Sequence, residues 1–223
     1  MKNFDDKVAV VTGAGSGIGR ALALDLAGRG AYLAISDVHP AGLAETHALC
    51  EQAGARTVSF ELDVSDRAAV HRHADAVLAE FGRVNLVINN AGVALGADIV
   101  DMTWDDFEWV MNVDFWGVAN GTKAFLPALI ESGDGHVVNI SSVFGLMGIP
   151  GQSAYNSAKF AVRGFTEALR QEMKIARHRV GVSCVHPGGI KTNIVANARG
   201  MQDLGDRDEV TRRFEQIAMT TPA

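Results

Sequence analysis

Short runs of apolar, largely β-branched residues recur along this chain, and helix-length stretches separate them. That alternation limits the possible folds more than any other feature. A strand that is apolar along its whole length needs cover on both faces, and parallel strands joined by crossover helices provide it. Strands are predicted at Val8–Thr12, Tyr32–Ser36, Thr57–Leu62, Leu86–Asn89, His136–Ser141 and Val182–His186. Helices are predicted at Gly17–Arg29, Ala41–Ala53, Ala68–Phe81, Trp104–Ser132 and Ser153–Ala176. Gly30, Gly54, Gly82 and Gly133 fall just past predicted helices, where a left-handed cap suits glycine. Ser65 precedes an apolar-periodic stretch, and Thr103 and Asp106 have the spacing of a capping box. No repeat, low-complexity tract or linker interrupts the chain before residue 190. The fold class read from this pattern is α/β: one doubly wound parallel sheet with helices on both faces, a three-layer single domain over residues 1–223.

Charge and composition narrow the function. Lys plus Arg is 20 against 26 for Asp plus Glu, a net charge of −6 with no block of like sign. Such a chain lacks the electrostatic footprint of a nucleic-acid binder. The longest apolar run, Ala31–Ile35, has five residues, whereas a membrane span needs about 20. The first seven residues lack the apolar core of a secretion signal. Cys50 and Cys184 are far apart and have no metal-type spacing. They read as small hydrophobes in a reducing compartment, so the expectation is a cytoplasmic protein with no membrane span, no nucleic acid and no metal.

The first predicted strand runs into Thr12-Gly13-Ala14-Gly15-Ser16-Gly17-Ile18-Gly19, and a helix follows at once. A sharp bend, close approach to a pyrophosphate and presentation of helix N-terminal N–H groups all favour glycine here. The spacing is T-G-x-x-x-G-x-G rather than the commoner G-x-G-x-x-G. The second strand ends at Ser36-Asp37, 18 residues beyond Gly19. A carboxylate there accepts hydrogen bonds from both adenosine ribose hydroxyls and repels a 2′-phosphate, which favours NAD over NADP. Arg20 and His39 are the neighbouring groups able to reverse that preference.

Further along, Tyr155 and Lys159 stand at i and i+4, on one helix face. A free tyrosine has a pKa near 10 and is a poor base at neutral pH. A nearby ammonium favours phenolate, and a fall of about three units corresponds to roughly 4 kcal/mol. The phenol then exchanges protons with an alcohol or a ketone.

The ordered set Thr12-Gly13-x-x-x-Gly17-x-Gly19, Asn89-Asn90-Ala91-Gly92, Asn112, Ser142, Tyr155-x-x-x-Lys159 and Pro187-Gly188 resembles the short-chain dehydrogenase/reductase family, over about residues 5 to 195. The resemblance implies a Rossmann-type sheet with the site at the carboxyl ends of its strands. It implies Tyr155 as general acid/base, with Lys159 as its pKa modulator and a ribose-hydroxyl donor. Ser142, 13 residues before the tyrosine, polarises the substrate oxygen, with Ser141 as the structural alternative. Asn112 corresponds to the helix asparagine whose backbone carbonyl holds a relay water. The cofactor residues it implies are Thr12, Gly13, Gly15, Ser16, Gly17, Ile18, Gly19, Asp37, Asp63, Val64, Asn90, Ala91, Gly92, Tyr155, Lys159, Pro187, Gly188, Ile190 and Thr192. Asn89 braces the sheet, His186 packs at a strand end, and the other six histidines, His71 and His73 included, read as helix surface.

Two departures from the family pattern stand out. Asn85 occupies a position usually held by aspartate, a neutral swap of local consequence. The usual C-terminal helix and seventh strand are absent from the 223 residues, which bears on the expected homodimer or homotetramer. Asp208–Met219 carries an apolar stripe at Val210, Phe214, Ile217 and Ala218, and residues 193–220 are read as a substrate lid. Val93, Ala94, Leu95, Phe144, Leu146, Met147, Ile149, Gln152 and Ile190 are candidate substrate-lining residues, mostly apolar, which favours a hydrophobic substrate. The expected activity is hydride transfer between NAD(H) and a secondary alcohol or ketone. The alternatives are an NADP-dependent carbonyl or 3-oxoacyl reductase and, in another class, a non-catalytic dinucleotide sensor or scaffold.

Overall fold

Each expected strand forms, and the computed structural model, which describes residues 3–190 and 198–199, assembles all of them into one sheet. The strands β1 (Val8–Thr12), β2 (Tyr32–Asp37), β3 (Thr57–Glu61), β4 (Leu86–Asn89), β5 (Gly135–Ile140) and β6 (Val180–Val185) pair in parallel in the order β3-β2-β1-β4-β5-β6. The helices are α1 (Gly17–Gly28), α2 (Pro40–Gln52), α3 (Arg67–Phe81), α4 (Trp104–Met111), α5 (Gly117–Glu131) and α6 (Ser153–Ile175). Every residue of β1 is buried because its alternate side chains feed two cores. Val8 and Val10 pack with Ala74 and Val77 of α3, Phe125 and Leu129 of α5, and Leu169 and Met173 of α6. Ala9 and Val11 pack on the opposite face with Ala23, Leu26 and Ala27 of α1 and Leu43 and Cys50 of α2. The result is the expected three-layer Rossmann-type domain.

Gly30, Gly54, Gly82 and Gly133 all take positive φ, as their cap positions required. Thr103 and Asp106 bond reciprocally, Asp106 N–H to Thr103 Oγ1 at 3.1 Å and Thr103 O–H to Asp106 Oδ2 at 2.7 Å. At α3 the cap is Asp66 rather than Ser65. The Asp66 carboxylate accepts from Ala69 N–H at 3.0 Å, while Ser65 donates to Asp63 Oδ1. Asn85 accepts the Val8 N–H at 3.1 Å, a local bond its side-chain carbonyl supplies without a charge. Asn89 does brace the sheet: it donates to Asn139 Oδ1 at 2.8 Å and Thr122 Oγ1 at 3.0 Å, and Asn139 donates on to Thr166. This buried chain ties β4, β5, α5 and α6 at one level.

The single helix expected over Trp104–Ser132 is instead two helices joined by a π-helical turn, Asn112–Trp116. The Gly117 N–H there reaches back five residues to the Asn112 carbonyl, which inserts one extra residue and rotates α5 relative to α4. The predicted lid, residues 193–220, lies outside the described residues apart from Ala198 and Arg199. Among the described residues β6 is a sheet edge, and no helix is long and apolar enough to cross a membrane.

His73 departs most from expectation. It is 4% exposed, wedged between Phe60 and Phe125 at ring separations of 4.7 and 5.6 Å. Neither ring nitrogen has a hydrogen-bond partner among the described residues. Burial lowers its pKa from 6.5 to about 4. The folded protein therefore keeps His73 neutral, whereas the unfolded chain takes up a proton once pH falls below its ordinary value. Its contribution is intact above about pH 6.5 and is lost as pH drops towards 4, a total of roughly 3 kcal/mol. His73→Leu is expected to remove about 2.5 kcal/mol of the stability lost between about pH 7 and about pH 4.5. Denaturant unfolding at the two pH values measures it, and an unchanged difference would contradict this account.

Candidate active site

The crevice opens where the sheet order reverses, between the carboxyl ends of β1 and β4. Thr12 joins the two strand ends. Its Oγ1 accepts from Asn90 N–H at 3.0 Å and Ala91 N–H at 3.1 Å, and the Asn90 amide donates to the carbonyls of Thr12 and Gly13. Gly13 has φ +66°, and a Cβ on it would sit 2.7 Å from the Ala91 Cα. A Cβ on Gly19 would meet the Gly13 carbonyl oxygen at 2.1 Å. These two approaches let the turn lie flat against β4 and start α1 at Gly17. Ser16 is the extended N-cap of α1, and its side chain makes no capping bond. Ile18 lies half-buried in the first turn behind it.

A cavity of about 390 Å³ continues from this turn, lined by Gly15, Ser16, Gly17, Arg20, Asp37, His39, Gly42 and Glu45. The Asp37 carboxylate accepts from Gly15 N–H at 2.8 Å and His39 N–H at 2.9 Å. Arg20 is held along one edge of its guanidinium: Nη2 pairs with Glu45 at 2.7 Å and donates to the Gly15 carbonyl at 2.6 Å, and Nε donates to Thr46 Oγ1 at 2.9 Å. Across the crevice, Asp63 holds a turn through Ser65, and the Val64 carbonyl accepts from the Asn120 amide at 3.1 Å. Gly92 follows Ala91, and a Cβ on it would lie 3.4 Å from both Lys159 Nζ and an Asp114 oxygen. A cradle that side chains would fill, beside a carboxylate at the end of β2, fits a dinucleotide.

At the other end of the crevice, α6 carries Tyr155 and Lys159 one turn apart, with Lys159 Nζ 5.4 Å from the phenol ring centroid. Ser142, just past β5, stands close enough to the phenol to draw its pKa down, and its Oγ accepts the Phe144 N–H at 3.1 Å. Ser141 is committed elsewhere, its buried hydroxyl donating to the Lys159 carbonyl at 2.9 Å. His186 packs as expected, its Nδ1 2.9 Å from the Ser142 carbonyl. The Asn156 amide donates to the carbonyls of Phe144 and Met147, at 2.6 and 2.8 Å, and accepts from Ile149 N–H at 3.0 Å. The 144–149 loop is thereby fixed to the helix that carries the tyrosine. The Pro187 carbonyl accepts from Val143 N–H at 3.0 Å, Gly188 is exposed and Ile190 half-buried. Thr192 lies outside the described residues. Leu95, read as a substrate-lining residue, is 1% exposed and belongs to a core with Val110, Ala154 and Ala158 beneath the site.

One acidic residue was missed. Asp114, in the π turn, is completely buried, with Oδ2 3.0 Å from Lys159 Nζ and Oδ1 accepting the Val93 N–H at 2.7 Å. Oδ2 has no other partner among the described residues, and its poorly aligned contact with Nζ is chiefly a charge–charge one. Asn112, two residues earlier, is exposed, and its carbonyl is taken by Gly117 N–H. A signal was available: Asp114 sits in the buried stripe Val110, Asp114, Gly117, Gly121, where a carboxylate is out of place.

The carboxylate changes the expected electrostatics. Burial pulls the Lys159 pKa down, but Asp114, helped by Tyr155, more than offsets this and holds it above the ordinary lysine value. Burial pushes Asp114 up, against the pull of Lys159. Tyr155 stands above the ordinary tyrosine value, not below it as the Tyr–Lys spacing alone suggested. Burial raises it, Lys159 draws it back, and Asp114 raises it again.

Arg199 also escaped the sequence reading. Its guanidinium lies 3.8 Å over the Trp109 ring and 3.4 Å from Asp106, while its backbone bonds Ala94 and Gly96. This fastens the chain beyond β6 onto the loop that follows β4.

Comparison with known proteins agrees with this geometry. A family model described as short chain dehydrogenase matches residues 7–203. SadH of Mycobacterium tuberculosis, an oxidoreductase by name, is 63% identical over all of this chain and 80% of its own length. A short-chain dehydrogenase/reductase from Burkholderia phymatum, solved in complex with NAD, superposes with TM-score 0.89 at 37% identity, covering 97% of this chain and 80% of its own. Carveol dehydrogenase from Mycobacterium avium, also solved with NAD, superposes with TM-score 0.83 at 29% identity, over 88% of this chain and 76% of its own. Fold, crevice and relatives agree: the chain belongs to the short-chain dehydrogenase family and is an NAD(P)-dependent dehydrogenase acting on CH–OH groups.

Proposed function

We propose that this enzyme interconverts an apolar secondary alcohol and its ketone with NAD(H), using Tyr155 as general acid/base. The observation that carries the reading is the grouping of Tyr155, Ser142 and Lys159 beside a dinucleotide-shaped crevice. The bound nicotinamide supplies or accepts the hydride. Ser142 orients the substrate oxygen, and Tyr155 gives up or takes the proton at that oxygen. Lys159 uses its ammonium on Asp114 and on the Ile140 carbonyl at 3.3 Å, leaving a third N–H for a ribose hydroxyl. Thr12, Gly13, Gly15, Ser16, Gly17, Ile18 and Gly19 form the pyrophosphate turn. Asp63, Val64, Asn90, Ala91 and Gly92 line the middle of the crevice, and Pro187, Gly188 and Ile190 face the nicotinamide end.

Asp37 supports NAD rather than NADP, and so does Arg20, whose charge is neutralised by Glu45 instead of being offered to a 2′-phosphate. Exposed Leu146 and Met147 on the fastened loop support an apolar substrate. Exposed Trp116 and Phe160 favour assembly with a second copy, as a homodimer or homotetramer. The absence of a disulfide at Cys50 and Cys184 fits the cytoplasm.

The test is a turnover assay with NADH and NADPH against terpenoid, steroid and aliphatic ketones and polyols. Turnover of the apolar ketones with NADH is expected, and preference for NADPH or for polyols would overturn the corresponding part. Asp37→Ala is expected to weaken NAD binding about tenfold, or 1.4 kcal/mol, and to narrow the gap against NADP. Fluorescence titration with each reduced cofactor measures both changes.

A further inference from the structure

A charge buried beside another charge has to be counted with it. Lys159 is 3% exposed and Asp114 completely buried, so their fields reach Tyr155 with little screening. The sheet end and the π turn fix both groups: Val93 N–H holds one Asp114 oxygen, and the Ile140 carbonyl holds Lys159 Nζ. We propose that Asp114 is a positioning residue whose carboxylate cancels the charge of Lys159, so that Tyr155 stands as the neutral phenol and the site is set to deliver a proton to a ketone oxygen. The inference rests on Tyr155 being the proton donor and adds the direction for which the resting site is prepared.

Other groups facing the cluster do not alter the balance. Cys184 approaches Lys159 from β6, and burial raises its thiol pKa, which keeps it neutral. His186 offers its ring to the Ser142 carbonyl, not to the phenol. Phe144 meets the phenol edge-on at 6.2 Å and carries no charge. Tyr155 stands above its ordinary value chiefly through burial, and Asp114 opposes the downward pull of Lys159.

In ketone reduction the phenol O–H bond breaks and its proton passes to the carbonyl oxygen. The carbonyl carbon takes hydride from the reduced nicotinamide, which is oxidised as the ketone becomes the alcohol. Tyr155 is left as phenolate, with the stabilising pull of Lys159 opposed by Asp114, and it regains a proton from water. Oxidation of an alcohol has to begin from that phenolate and is correspondingly favoured at alkaline pH.

The chain has two tyrosines, so Tyr155 becomes the single phenol in a Tyr32→Phe background and its ionisation is read directly by near-ultraviolet tyrosinate absorbance. Circular dichroism on the same samples marks unfolding. Asp114→Asn in this background is expected to lower the midpoint by about one pH unit, because the Lys159 charge is then uncancelled. The double variant Asp114→Asn, Lys159→Met removes both charges and is expected to titrate within about half a unit of the parent. Removing one partner of a buried pair is far more destabilising than replacing both. If Asp114→Asn does not fold, the double variant decides: a midpoint near the parent supports the proposal, and one well above it overturns it. An Asp114→Asn midpoint equal to or above the parent also overturns it, including the case where neither protein ionises before unfolding. None of these readings uses turnover, so a failure here is separate from a failure of Tyr155 as the acid/base, which activity assays of Tyr155→Phe detect.

Discussion

Replacing Tyr155 with phenylalanine is expected to cut turnover on the order of a thousandfold while leaving NADH affinity within about threefold of wild type. The two effects separate because the hydroxyl and the ring do different things. The ring packs edge-on to Phe144 at 6.2 Å and against the core of Leu95, Val110, Ala154 and Ala158, and phenylalanine keeps those contacts. The Asp114–Lys159 pair also survives, so the lysine stays in place for the cofactor. Only the exchangeable proton beside Ser142 is lost. Steady-state turnover with fluorescence titration of NADH would read both numbers. Retention of more than about a tenth of the activity would remove Tyr155 from the proton-transfer step.

Gly19→Ala should be the most damaging single methyl addition in the cofactor crevice. The new carbon would stand 2.1 Å from the Gly13 carbonyl oxygen and 2.6 Å from Asn90 Nδ2. The first is backbone, and the second is held by the carbonyls of Thr12 and Gly13. Neither gives way without moving α1 off the sheet. A loss of about 3 kcal/mol in stability is expected, together with at least tenfold weaker NAD binding. Gly164→Ala is the control. It lies on the exposed side of α6 with nothing within 4 Å of the added carbon, so a gain of about 0.8 kcal/mol is expected from helix propensity. Denaturant midpoints for the two variants should move in opposite directions. Comparable destabilisation by both would show that steric contact at Gly19 is not what matters.

The positions of the strands were legible because burial on both faces keeps β1, β2 and β4 largely apolar up to their carboxyl ends, where Thr12, Ser36, Asp37 and Asn89 stand. The glycine turn was legible because its spacing encodes a backbone path rather than a side-chain contact. Tyr155 and Lys159 were legible because four residues along a helix is a fixed geometric relation. His73 was misread for a different reason. It shares the face of Val70, Ala74 and Val77, so its phase in α3 pointed inward, but histidine was assigned by polarity instead of by position.

By itself, then, the sequence determined most of what depends on neighbours along the chain: the alternation of strands and helices, the glycine turn, the glycine caps, and the helix that carries tyrosine and lysine. Only the tertiary structure decided what depends on charges brought together from distant segments. It committed Arg20 to Glu45, placed Arg199 on Trp109, and inserted the π turn that delivers Asp114 to Lys159, 45 residues away in sequence. The physical reason is the range of the forces involved. Backbone preference and apolar periodicity act over a few residues and leave a mark on local sequence. The field at Tyr155 sums over every buried charge within several ångströms, whichever segment carries it, and folding alone sets those distances.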